Sequence, residues 1–301
     1  MADSIDRYAD GKFEEMKRRI RAIYREAAEG IQEKIARFLE SHRRTDERMR
    51  ARLNAGEITD ADYQRWLRGQ VFQGQRWDAV LDEITRTYVD ADKRAREMIN
   101  EEDRGIFAEA ANRTAERIDR NVSGGMSWAI YDQHTVDRLI RDDPQMLPEW
   151  RIDEPKDYVW NEQRVRNIIT QGILQGQSIQ EIGEILTTDL TAQNAGKMQM
   201  FARTAVTGAH NAGRVEAMRE AEDMGITVMK RWLAVHDSRT RESHAYLDGQ
   251  TRRPDEDFID QDGNHIKFPG DPSAPPALTY NCRCTLVYVY PDHSGGGDNG
   301  S

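Results

Sequence analysis

Along residues 5–53, apolar side chains recur at steps of three and four: Phe13, Met16, Ile20, Ile23, Ala27, Ile31, Ile35 and Phe38. On a helix these positions form one stripe, and Arg, Lys and Glu crowd the other faces. The stripe is narrow, the width of a seam against one or two partner helices. Gly30 interrupts it at about 1 kcal/mol relative to Ala, so packing rather than propensity has to hold the helix. Asn54-Ala55-Gly56 predicts its end, and Thr59 with Asp62 predicts the next start. Tyr63, Trp66, Leu67, Trp77, Val80, Leu81, Ile84 and Tyr88 continue the period, through a region that Gly56, Gly69 and Gly74 cut into shorter pieces. A further helix is expected over residues 90–119, with a hinge at Ser123-Gly124-Gly125.

Residues 142–157 (DDPQMLPEWRIDEPKD) hold three prolines and more acid than base, which predicts a linker rather than a regular helix. Helical spacing resumes at Asn161. Ser178 and Glu181 form a capping box before Ile182, Ile185, Leu186 and Leu190. The next helix, residues 197–224, is lined by small residues (Ala205, Gly208, Ala212, then Val215), a face that lets another backbone come close. Gly225 is placed to end it.

The texture then changes. Residues 226–235 (ITVMKRWLAV) are apolar or β-branched except at Lys230 and Arg231, and residues 284–290 (CTLVYVY) are similar, so both predict strands. Asp248-Gly249, Asp262-Gly263 and Pro269-Gly270 mark turns in the excursion between them. The expected fold is mainly α, with an extended helical N-terminal region and a small α+β C-terminal module built on a few-stranded sheet. The expected organisation is a helical region over 1–141, a linker over 142–160, a module over 161–292 and a flexible Gly-rich tail over 293–301.

A net charge of -10 excludes a protein that coats nucleic acid over its whole surface. The charge is uneven, since residues 12–52 hold thirteen Lys/Arg against eight Asp/Glu, and residues 220–301 hold eight against fourteen. The Arg43–Arg52 segment is therefore the candidate for DNA contact. Its interleaved acids and lack of aromatics favour a solvated helix face instead. No run reaches the ~20 apolar residues of a membrane span, and the N-terminus lacks the order of a secretory signal. Two cysteines one residue apart are no disulfide framework, so a reducing cytoplasm is the expected site of folding.

Those cysteines are the first candidates for chemistry. On an extended chain Cys282 and Cys284 point to one side, too close in sequence for a relaxed disulfide. Two thiolates, an imidazole and a fourth donor suit zinc, the candidate cofactor. His236, Asp237, His244 and His265 are available, and Asp237, His244, Cys282 and Cys284 form the candidate ligand set. The C-x-C spacing departs from the usual C-x₂₋₄-C. The competing reading is two small buried cysteines, with His244 bonded to a backbone carbonyl. Asp237 is also placed to cap a helix over 240–247, on which Arg241 and His244 share a face. No glycine-rich phosphate loop, nucleophile elbow or Ser/His/Asp pattern occurs.

The order of these pieces resembles the Mu F-like phage head morphogenesis family. The matching segments are ARTAVTGAHNAGR (202–214), KRWLAVHDSRTRESHAYLDGQ (230–250), Phe258 with Gly263-Asn264, a proline-rich run, and Asn281-Cys282-Arg283-Cys284. Arg203, Thr204, Asn211, Trp232, Asp237, Arg239, Thr240, Arg241, His244, Gly249, Asn281, Cys282, Arg283 and Cys284 match the motifs. The resemblance covers residues 160–290, and the N-terminal helices fit only in being helical. Ala205 stands where many relatives carry an acid, which weakens a catalytic reading.

The resemblance implies a minor head (capsid) protein of a tailed bacteriophage, non-enzymatic, acting near the portal vertex. The implied partners are the portal protein or the major capsid protein, and packaged DNA through Arg43–Arg52. The implied location is the virion, after assembly in the host cytoplasm. Arg203, Asn211, Trp232, Arg239, Arg241 and Asn281 would form a structural network. Some relatives carry a toxin domain after this module, and the Gly-rich tail suggests none here. The alternatives are a metal-dependent nuclease or hydrolase using the His/Asp/Cys cluster, and a scaffold that leaves before maturation.

Overall fold

A computed structural model describes residues 4–72, 74–122, 125–151, 153–175 and 177–291. The hinge expected at Ser123-Gly124 and the tail 293–301 lie outside them, as do the side chains of Leu67 and Trp77. The elements in order are α1 (Ser4–Asn54), α2 (Asp60–Phe72), α3 (Gly74–Asn121), α4 (Gln133–Asp142), α5 (Glu154–Leu174), α6 (Ile179–Ile185), a π-helical turn (Leu186–Leu190) and α7 (Thr191–Asp223). There follow β1 (Met229–Leu233), α8 (Glu242–Leu247), β2 (Thr251–Arg252), β3 (Phe258–Ile259), β4 (His265–Ile266), α9 (Pro276–Thr279) and β5 (Thr285–Val289). The chain is mainly α with a small antiparallel sheet near the C-terminus.

Contacts group the residues into two units that interleave along the sequence. The first takes Met1–Lys17, Glu97–Trp150 and Gln199–Ser301, and the second takes Arg18–Arg96 and Arg151–Met198.

Helix α1 passes straight through Gly30, where an added Cβ would meet nothing within 4 Å. Its buried positions run Phe13, Met16, Ile20, Tyr24, Ala27, Ile31 and Ile35. Tyr24 thus takes the place expected for Ile23, four positions after Ile20 and three before Ala27, and its hydroxyl has a buried acceptor. In the second unit that hydroxyl donates to Asp92, which also accepts from Asn161 Nδ2 at 3.2 Å. Asn161 Oδ1 in turn accepts from Asn194 Nδ2 at 3.2 Å. Burial pushes both the Asp92 carboxyl and the Tyr24 phenol up. The third helix starts at Gly74 rather than Asp90, so it runs 48 residues. The irregular stretch after α4 ends sooner than its prolines suggest. Asp153 caps α5 and Pro155 sits in its first turn, where its missing N–H would have been unpaired anyway. The Ser178–Glu181 capping box is present in both directions.

In the first unit, α7 and the sheet make the core. The sheet order is β2-β1-β5, and β1 pairs antiparallel with β5 so that Trp232 faces Leu286. The excursion between them carries the small β3–β4 hairpin. Trp232 is fully buried, edge-on to Phe258 at 5.3 Å between ring centres. The small-residue face of α7 does what its composition predicts. A Cβ on Gly208 would lie 2.9 Å from the Gly270 carbonyl oxygen, and one on Gly213 would lie 2.3 Å from that of Phe107. Gly225, at φ +82, follows the end of α7.

Candidate functional site

The site is assembled from the first unit. His244 lies on the short helix α8, and Cys282 and Cys284 lie in the segment that feeds β5. All three are buried. His244 Nε2 is 2.8 Å from the Leu278 carbonyl oxygen, which can only accept, so Nε2 carries the proton. In the neutral ring, Nδ1 then offers its lone pair, and it faces Cys284 Sγ at 3.3 Å and Cys282 Sγ at 3.7 Å. The Trp232 ring stands edge-on to the imidazole at 5.9 Å. The Cys284 amide donates to Cys282 Sγ at 3.4 Å. The hydrogen bond from Cys282 draws the Cys284 thiol down, against its burial. Cys282 is pushed up, by Cys284 first and by burial second.

Asp237 does not join this cluster. Among the described residues, the metal-ligating atoms that converge are those of His244, Cys282 and Cys284. The Asp237 carboxylate instead accepts two bonds from Arg283, at 2.6 and 2.8 Å, and one from the Arg239 amide at 2.9 Å. Arg283 holds its carboxyl well below the usual range. The reason is alternation: Cys282 and Cys284 share one side of the extended chain, and the residue between them points away. Nor does Asp237 cap α8, whose N-cap residue is Arg241 with no side-chain cap bond. His236 and His265 pair with Asp248 and Asp257, at 3.1 Å each.

The remaining network residues hold the segment against α7. Asn211, fully buried, donates from Nδ2 to the carbonyls of Thr207, Pro269 and Cys284. Its Oδ1 accepts from the Leu286 amide at 2.9 Å. One side chain thereby ties α7 to the start of β5 and to the turn that meets Gly208. Asn281 has φ 56, a left-handed conformation that asparagine tolerates, and its amide donates to Thr204 Oγ1 at 2.9 Å. Thr207 Oγ1 donates to the Cys282 carbonyl at 2.8 Å. Arg241 donates to the Tyr280 carbonyl, and Arg239 is largely exposed. Arg203 pairs with Asp10 at 3.1 Å and lies over the Phe13 ring.

Sequence reasoning missed Asp6. Its Oδ1 accepts from Arg214 at 2.8 Å and Thr285 at 2.9 Å, and lies 3.0 Å from His210 Nε2. Arg214, 2% exposed, also donates to the Leu286 carbonyl at 2.6 Å. Thr207, His210, Asn211 and Arg214 recur at helical spacing inside an otherwise small, apolar face, and that was the available signal. Nothing local marks Asp6. Asp6, Thr207 and His210 border a cleft of about 430 Å³ that Asp10, Arg203, Arg283 and Cys284 also line. Lys230 was missed as well: fully buried on β1, it donates to the carbonyls of Pro254 and Lys267 at 3.1 and 2.8 Å.

Residues 163–287 match the family model described as Phage Mu protein F like protein. The chain is 23% identical over 287 residues to the minor head protein GP7 of Bacillus phage SPP1, covering 95% of this chain and 86% of that one. The likeness therefore extends into the N-terminal helices. Over 130 residues it is 32% identical to NAD(+)–arginine ADP-ribosyltransferase EFV of Enterococcus faecalis, covering 42% of this chain and 26% of that protein. No solved structure matches the chain.

Proposed function

We propose that this chain, whose residues 163–287 match the Mu F-like family model, serves head morphogenesis at or near the portal vertex of a tailed bacteriophage as a minor head protein. Its partners are the portal protein or the major capsid protein, met through the N-terminal helices. It is made in the host cytoplasm and retained in the virion. Residues 161–292 act as the head-morphogenesis module, joined through 142–160 to the helical region 1–141. The observation that carries this reading is the alignment to the SPP1 minor head protein along 95% of the chain, helical part included.

A structural rather than catalytic role is supported by the fate of Asp237. A nuclease built on this cluster would need a carboxylate beside the imidazole, and Arg283 occupies that carboxylate. The activity in the Enterococcus protein's name is not carried over, since the aligned part is 26% of it. DNA contact through Arg43–Arg52 is opposed by the ion pairs of that segment. Arg43, Arg44, Arg50 and Arg52 each pair with Glu40, Glu47, Asp46 or Glu57, and phosphate would have to displace those acids.

Crosslinking mass spectrometry on purified proheads and virions tests the proposal. Low-copy presence in both, with crosslinks from α1 or α3 to the portal protein, is the expected result. Presence in proheads alone would make the chain a departing scaffold, and absence from both would remove the head assignment.

A further inference from the structure

We propose that His244, Cys282 and Cys284 bind one soft divalent cation, zinc by the nature of the donors, as a clamp between α8 and the segment entering β5. The inference stands apart from the head role, which neither requires a metal nor fails without one.

Three observations carry it. The first is convergence. The imidazole comes from a helix 38 and 40 positions before the two sulfurs, yet all three ligand atoms lie within 4.8 Å of one another. Zinc–sulfur bonds of ~2.3 Å and a zinc–nitrogen bond of ~2.05 Å, at tetrahedral angles, set sulfur and nitrogen about 3.6 Å apart. The two separations found, 3.3 and 3.7 Å, bracket that edge.

The second is orientation. A metal-bound histidine usually gives its other ring N–H to a carbonyl or carboxylate, which fixes the tautomer and aims the free lone pair. The Leu278 carbonyl does this for His244. Two cysteines buried merely as small hydrophobes would not need an imidazole lone pair aimed at their sulfurs.

The third is charge. Binding releases the two thiol protons, and the two thiolates balance a divalent cation, leaving a buried cluster with no net charge. Among the described residues no fourth His, Cys, Asp or Glu joins the group, so a solvent ligand fills the last tetrahedral position. Cys284 lines the cleft through which that ligand can arrive.

The test uses the full chain, purified without chelator or histidine tag. Elemental analysis should find about one zinc per chain, and cobalt substitution should give a thiolate-to-metal charge-transfer band. A chelator should lower the melting temperature and added zinc should restore it. Cys282→Ser with Cys284→Ser should abolish the band and the zinc, whereas Asp237→Asn should keep both. Folded wild-type chain that takes up neither zinc nor cobalt would overturn the proposal. So would full stoichiometry in the double variant, or loss of metal on Asp237→Asn. The cobalt spectrum of the wild type decides the matter even if the serine variants do not fold.

Discussion

Gly208 and Gly270 meet backbone to backbone. A Cβ on Gly208 would lie 2.9 Å from the Gly270 carbonyl oxygen, and one on Gly270 would lie 2.6 Å from the Gly208 nitrogen. Neither obstacle is a side chain that can swing aside. Gly208→Ala should therefore destabilise the chain by ~1–3 kcal/mol, despite the better helix propensity of alanine. Gly213→Ala, aimed at the Phe107 carbonyl at 2.3 Å, should be at least as harmful. Gly30→Ala, with open space around it, should stabilise by about 1 kcal/mol. Urea unfolding of the three variants measures this. A Gly208→Ala chain as stable as wild type would mean that the two backbones do not touch.

Asp6 neutralises a guanidinium that is almost fully buried. Asp6→Ala removes a carboxylate paired with the buried Arg214, and should lower stability by ~2–3 kcal/mol. Asp10→Ala is the control, because its carboxylate is 65% exposed and its pair with Arg203 should contribute under ~1 kcal/mol. Equal thermal shifts for the two variants would show that the Asp6 site is no more than a surface pair.

Lys230 makes stability depend on pH. Burial, aided by Arg219, lowers its pKa to about 8, against ~10.4 in an unfolded chain. Between those values the unfolded chain holds a proton that the folded chain has lost, so the residue's contribution rises with pH. The stability of wild type relative to Lys230→Met should increase by ~2 kcal/mol from pH 7 to pH 9.5. A flat difference across that range would mean that the folded ammonium titrates normally.

Asn211 should matter beyond its size. Asn211→Ala removes the acceptor of the buried Leu286 amide, which should destabilise by ~1–3 kcal/mol. Hydrogen exchange at Leu286 should accelerate more than at Val287 or Tyr288, further along β5. Uniform acceleration along the strand would assign the effect to global unfolding instead.

Most of the fold was legible because its signals are local. The 3.6-residue period, the capping box at Ser178, the stop after Asn54 and the two strands depend on neighbours within a few positions. The small face of α7 announced a close approach, though not to which backbone. Residues whose partners are remote were not legible. Asp6 looks like any acid in the first turn of an amphipathic helix, and its partner lies 208 positions away. Lys230 interrupts an apolar strand in a way that suggests exposure, and two carbonyls from the excursion make burial tolerable. Asp237 is near His244 in sequence, which makes it look like a fourth metal ligand. Arg283, on the opposite side of the chain from the two thiols, claims it.

The hydroxyl of Thr285 and the carboxylate of Asp6 meet across 279 positions, nearly the whole polypeptide. A ribosome releases the first helix long before it makes the strand that this helix must greet. For that interval the apolar seam of α1 waits without its final neighbours, the circumstance in which nascent chains stick to one another. Long-range closure of this kind also slows folding. The yield of this protein should therefore respond to synthesis rate and chaperone supply more sharply than its helical content alone would suggest.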